Sequence, residues 1–154
     1  MIASALFVLA LGESLQTANL SAEWHTDLPE AQAVAKAANL PILINFTGSD
    51  WCHWCQVLKK EVFDKKEFKI WAKTHLVLLE LDFPQKKKQS TFVRQQNEDI
   101  AKKFKVDGYP TLYFIRHDGK ILGRTGYLKG GPAVWTKDAE KQLEAAAQRE
   151  LEQS

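Results

Sequence analysis

The chain has 154 residues, 45% hydrophobic and 26% charged, with a net charge of +2. That length suits one domain with a sizeable core, and the near-neutral charge gives no reason to expect a nucleic-acid partner. The lysine clusters Lys59–Lys60, Lys65–Lys66, Lys86–Lys88 and Lys102–Lys103 are scattered along the chain and read as solvated faces.

The first feature in chain order is an uninterrupted apolar and small-residue run, Ile2 to Gly12. It is too short for a membrane span, which needs about 20 residues, and has the length of the apolar core of a signal peptide. Small residues follow at Thr17–Ala18 and Ser21–Ala22, but no Lys or Arg precedes the run. Residues 1–22 are therefore expected to be an apolar leader or signal-peptide remnant, with the folded domain over 23–154. Export, to a periplasm or an equivalent compartment, is the expectation; a cytoplasmic protein with a buried apolar segment is the alternative.

"TDLPEAQAVAKAANLP" predicts a helix: Asp27 as N-cap, Glu30 completing a capping box, Pro29 in the first turn and Leu40-Pro41 as the stop. "ILINF", Ile42 to Phe46, predicts a buried strand broken at Gly48-Ser49-Asp50. From Cys52 a helical pattern runs through Val57, Leu58, Val62 and Phe63 and continues through Phe68, Ile70 and Trp71. Leu76 to Phe83 predicts a second buried strand, followed by a polar loop over 85–96. "NEDIAKKFKV" predicts a helix with Ile100, Ala101 and Phe104 facing inward, ended by Gly108-Tyr109-Pro110. A strand, a turn at Asp118-Gly119 and a second strand follow, the pattern of a hairpin. Gly130-Gly131-Pro132 then opens a last helix, from about Ala133 to Leu151. The alternating first half predicts parallel pairing through a crossover and the hairpin adds antiparallel strands, giving an α/β domain with a mixed central sheet flanked by helices on both faces.

Both cysteines lie in "SDWCHWC", where a buried strand gives way to a helix. Backbone N–H groups and the positive end of a helix dipole stabilise a thiolate there, which makes Cys52 reactive near neutral pH. Cys55 is one turn on, within reach of a disulfide. A bridge closing so small a loop contributes little loop entropy, so redox chemistry suits the pair better than a structural staple. Three other readings stand beside it. Structural zinc wants four ligands, and His25, His75 and His117 lack paired spacing. A two-thiolate carrier of a soft metal such as Cu(I) is a second alternative, and an inert buried pair is the third.

"ILINF", the turn, "WCHWC" opening a helix, and "GYPT" ahead of a hairpin, with its proline about 55 residues after the second cysteine, together resemble the thioredoxin superfamily. The longer stretch "GSDWCHWCQVLKKEVF" resembles its exported, single-domain Dsb-type oxidoreductases, the DsbH-like periplasmic proteins in particular. The resemblance implies the thioredoxin fold, Cys52 as attacking thiolate, Cys55 as resolving thiol, and Pro110 as a cis-proline that turns the Tyr109 backbone toward an extended substrate segment. Cys52 is then expected to be exposed and Cys55 more buried. Trp51 and Trp54 would form an apolar platform beside them.

The sequence departs from the family pattern at two places. Thioredoxins carry a buried aspartate in the strand before the motif, where this chain has Asn45, an amide that takes no proton; Glu80 on the next strand is the substitute candidate. Strong oxidants and isomerases of the superfamily usually carry histidine directly before the second cysteine; here that place is Trp54, and His53 follows the first. The reduced form is then less favoured and the protein is a better electron donor. The expected activity is reduction of protein disulfides by a monomer that needs no cofactor beyond the Cys52–Cys55 pair and no metal, recycled by an unidentified thiol–disulfide partner, with no stable membrane span. The alternatives are a copper-handling thiolate module and an oxidase or isomerase of the same fold.

Overall fold

The computed structural model of the protein describes residues 22–154; the apolar run Ile2–Gly12 and the boundary proposed at residue 22 fall outside or at the edge of that span. The elements in chain order are β1 (Trp24–His25), α1 (Leu28–Ala38), β2 (Ile42–Thr47), α2 (His53–Leu58), a π-helical turn (Lys59–Phe63), α3 (Lys66–His75), β3 (Val77–Asp82), α4 (Thr91–Lys103), β4 (Thr111–Ile115), β5 (Ile121–Thr125) and α5 (Gly131–Glu152). The strands form one sheet in the order β1-β3-β2-β4-β5. β1 and β2 each run parallel to β3, while β2–β4 and β4–β5 are antiparallel. This is the mixed sheet that the alternation and the hairpin predict.

β2 lies at the centre and is buried along its whole length, which its continuous apolar run requires. Its alternating side chains divide the core. Ile42, Ile44 and Phe46 point to one face, with Ala31 and Ala35 of α1 and Ile100, Ala101 and Phe104 of α4. Leu43 points to the other, with Leu58, Phe63, Phe68 and Ala72 below the motif and Trp135 and Ala139 of α5. Trp135 is fully buried. It takes edge contacts from Phe63 and Phe68, both at 5.6 Å, and donates its indole N–H to Gly126 O. Asn45 lies on this second face, since it is two residues from Leu43.

Several local expectations change. β1 was not foreseen: two residues carry no periodicity, and they pair only because β3 has a vacant parallel edge at Leu78 and Leu79. The capping box is half formed: Asp27 Oδ1 accepts from Glu30 N at 2.8 Å, but the Glu30 carboxylate lies 3.6 Å from His25 Nδ1. The polar stretch expected as a loop over 85–96 becomes helical from Thr91, because Ser90 Oγ caps it by accepting from Val93 N. The long helix expected after Cys52 is interrupted. The π turn shifts the helical phase so that the consecutive Val62 and Phe63 are both buried, and the chain restarts at Lys66. In the new phase Phe68 and Ala72 face the core and Ile70, expected inside, is 60% exposed. Among the described residues no helix is long and apolar enough to cross a membrane.

Candidate active site

The C-terminal ends of β2 and β3 lie side by side, with Thr47 opposite Asp82. The turn that leaves β2 there is fastened at each residue. Gly48 O accepts from Trp51 N at 3.2 Å and Cys52 N at 2.8 Å, closing the turn. The Trp51 indole folds back so closely that a Cβ on Gly48 would run into it. Asp82 accepts from Ser49 N at 2.9 Å and from Ser49 Oγ at 2.5 Å. Asp50 accepts from three successive backbone amides, Gln85, Lys86 and Lys87, at 2.9, 2.8 and 2.8 Å. Those bonds, Gln85 first, hold its carboxyl below the ordinary carboxylate value. Trp51 Nε1 donates to Phe83 O at 2.7 Å.

This turn delivers Cys52 to the N-cap of α2, in extended backbone conformation. Cys52 and Cys55 form a disulfide, with Cα atoms 5.3 Å apart, inside the usual range. Cys52 Sγ also accepts from Cys55 N at 3.3 Å. The expected difference in exposure is not seen: both cysteines are 5% exposed. Bonded to Cys55 Sγ and turned toward its amide, the Cys52 sulfur is drawn back into the first helical turn.

Aromatic side chains border the disulfide in two groups. Trp51 meets Tyr109 edge to face at 5.7 Å, and Tyr109 packs on Phe83 at 5.2 Å. The Tyr109–Pro110 bond is cis and leads directly into β4. Burial pushes the Tyr109 hydroxyl above its ordinary value. In the second group Trp54, 53% exposed, lies between His53 and Tyr127, at 5.2 and 5.1 Å. Tyr127 donates its hydroxyl to Glu61 at 2.6 Å, which together with burial raises its pKa.

On the Cys55 side the motif borders a cavity of about 570 Å3, lined among others by Asn45, Glu80, Lys59 and Lys87. Asn45 and Glu80 are register partners on β2 and β3 and so share a face. Asn45 is 6% exposed and its Oδ1 has no hydrogen-bond partner among the described residues. Burial, and then the Asp82 charge, push the Glu80 carboxyl above its ordinary value, against the pull of Lys59 and Lys87. Among the described residues no three His, Cys, Asp or Glu side chains converge as a metal site.

The candidate residues thus fall around one centre: Trp51, Tyr109 and Pro110 on one side, His53 and Trp54 on another, Asn45 and Glu80 behind Cys55. Sequence reasoning missed Asp50, Asp82, Phe83 and Tyr127. The available signal for the two acids was weak: Asp50 reads as a turn residue, and Asp82 as the last residue of a strand.

Residues 28–140 match the family model of the thioredoxin-like domain. The chain is 39% identical over 140 residues to the disulfide bond reductase DsbH of Chlamydia pneumoniae, covering 87% of this chain and 82% of that one. It is 34% identical over 103 residues to the thioredoxin-related protein DsbJ of the same organism, covering 67% of this chain but 30% of DsbJ. A solved DsbH oxidoreductase structure superposes with a TM-score of 0.76 at 36% identity, covering 91% of this chain and 95% of the other. A mixed sheet of this order, a disulfide at the head of the helix after β2 and these relatives agree: the chain belongs to the thioredoxin-like domain family, as a thiol–disulfide oxidoreductase built on a CxxC pair.

Proposed function

We propose that the chain is mainly a reductase of disulfides in other proteins, with Cys52 as nucleophile and Cys55 as resolving thiol. The observation that carries this reading is the Cys52–Cys55 pair at the head of α2 with Trp54, not histidine, directly before Cys55. No imidazolium is available at that place to stabilise the Cys52 thiolate, so the dithiol gives up its electrons more readily. The name of the relative, disulfide bond reductase, supports the same direction.

In the reduced protein the Cys52 thiolate attacks one sulfur of a substrate disulfide. A Cys52–substrate disulfide forms and one substrate thiolate leaves. Cys55 then loses its proton and attacks Cys52 Sγ, which forms the Cys52–Cys55 disulfide and releases the second substrate thiolate. Glu80 is the base for that proton: its carboxyl lines the cavity that Cys55 borders, and burial, by raising its pKa above the ordinary carboxylate value, makes it a stronger base. Asn45 beside it, with its Oδ1 unpartnered among the described residues, can accept a hydrogen bond but no proton. The Tyr109 backbone ahead of Pro110 pairs with the extended substrate segment, and Trp51 and Trp54 receive its apolar side chains. A partner dithiol returns the two electrons.

The protein acts as a monomer after export; the apolar run Ile2–Gly12 supports the export assignment and the division into a leader, 1–22, and a domain, 23–154. Cys55→Ser should trap mixed disulfides with substrate proteins and Cys52→Ser almost none; equal trapping by both removes the assigned roles. A copper-handling module is distinguished by titrating the reduced protein with Cu(I) beside an insulin-reduction assay: tight binding without reduction would favour the metal reading.

A further inference from the structure

The reduction reading leaves open what marks a protein as a substrate. Outside the redox pair, the most definite construction near it is the segment after β3. Three consecutive amides, of Gln85, Lys86 and Lys87, converge on the Asp50 carboxylate, two residues before Cys52. That grip fixes the backbone of a run that continues into Lys88, and all three lysines are exposed. Lys87 reaches inward and donates to Ser49 Oγ at 3.2 Å, while none of the three forms an ion pair with a carboxylate among the described residues. Asp50 turns its oxygens to the amides, and Asp82 turns its own to Ser49. In a run that read as one of several scattered solvated clusters, the backbone of Lys86 and Lys87 is therefore held by the active-site turn itself, and Lys88 follows directly.

The run is also continuous with the aromatic wall of the site. Phe83, two residues before Gln85, packs on Tyr109 and takes the Trp51 indole N–H on its carbonyl. Two other charges near the motif have partners of their own: Lys59 pairs with Asp64 at 2.7 Å, and Glu61 accepts from Tyr127. Lys87 is turned toward Asp50 and Glu80, so a segment lying along Tyr109 would meet the exposed Lys86 and Lys88, which form no ion pair among the described residues, at the Phe83 end, next to a backbone already held by Asp50.

We propose that Lys86 and Lys88 form a basic ledge that selects protein disulfides flanked by carboxylates, that is, an acidic substrate segment whose Asp or Glu side chains follow the disulfide toward the Phe83 end. This rests on the reduction reading and adds its substrate class. Long-range attraction of this kind acts mainly on encounter and falls with salt.

The test compares two peptides with the same disulfide, one flanked by Glu and one by Lys, beside a small neutral disulfide, all with the full chain kept reduced by a thiol supply. At low ionic strength the wild-type protein should turn over the acidic peptide with roughly tenfold higher kcat/KM than the basic one. The difference should lie in KM, and it should shrink to about twofold or less in 0.5 M salt. Lys86→Glu/Lys88→Glu should invert the preference, and Lys86→Gln/Lys88→Gln should abolish it. Both variants keep the amides that Asp50 holds. Equal kcat/KM for the two peptides at low salt, or a preference that survives both double variants, would overturn the ledge. Absence of turnover on the neutral disulfide as well would overturn the reduction reading on which it rests.

Discussion

Asp82→Ala is the sharpest test of how the redox turn is held. The substitution removes the carboxylate that accepts from Ser49 N at 2.9 Å and Ser49 Oγ at 2.5 Å, but leaves the Asp82 carbonyl and its bonds from Gln89 and Asn97 in place. A hydrogen bond to a charged acceptor contributes about 1.5–3 kcal/mol. The site is only partly buried, so water replaces some of this, and removing Asp82 also relieves its repulsion of Glu80. The expected net loss is about 2 kcal/mol, or a fall in Tm of roughly 4–8 °C for a chain of this size. Urea unfolding of the oxidised protein should show a lower midpoint with an unchanged slope. Ser49→Ala loses the hydroxyl's bond to Asp82 and the exposed one it accepts from Lys87, together about 1 kcal/mol after water replaces part of both, and the double variant should cost less than the sum of the singles by roughly the share of the Asp82 bond. A loss below about 0.5 kcal/mol for Asp82→Ala, or additive singles, would refute the account of the turn as clamped by β3.

Trp54→His should raise the reduction potential by about 30 mV, the equivalent of one charge-assisted hydrogen bond discounted for a half-exposed position; equilibration of the variant against a thiol buffer measures it. Glu80→Gln should slow release of the Cys52 mixed disulfide in a single-turnover assay and abolish the acid-side decline of that step, which in the wild type should follow the raised pKa of the Glu80 carboxyl. The same variant should be more stable than wild type at neutral pH. A carboxyl whose folded pKa is raised favours folding at low pH, and that contribution is lost as pH rises through the raised pKa, whereas a glutamine has no such loss. The stability gap should therefore close as pH falls below about 4.5, which thermal melts across pH 4–8 would follow.

The parts of this molecule legible in the sequence are those whose cause is local. β2 announces itself by an unbroken apolar run, the β4–β5 turn by Asp118-Gly119, with Gly119 at φ 93°, and α1 by Asp27 and Pro29. The redox pair is legible for the same reason, because its spacing and its place between strand and helix lie within a dozen residues. What stayed hidden depends on distant neighbours or on a change of phase. β1 exists only through the edge of β3. Ile70 points outward because the π turn resets the helical register. Ser90 was lost among equally polar neighbours although it caps α4. Asp50 and Asp82 grip groups 35–37 and 33 residues away, which no window of local sequence reports. The burial of Cys52 stayed hidden for another reason: an exposed sulfur is expected of the free thiolate, whereas here Cys52 is bonded to Cys55.

Whether the Cys52–Cys55 pair donates electrons to protein disulfides is decided by its reduction potential. Equilibrium with dithiothreitol or glutathione buffers, read by alkylation of the two thiols, gives the value without assuming a substrate. A donor of electrons should have a potential in the reducing range, near the roughly −270 mV of thioredoxins. A potential near the roughly −120 mV of a dedicated oxidase would contradict it and make the protein an acceptor of electrons through the same two cysteines.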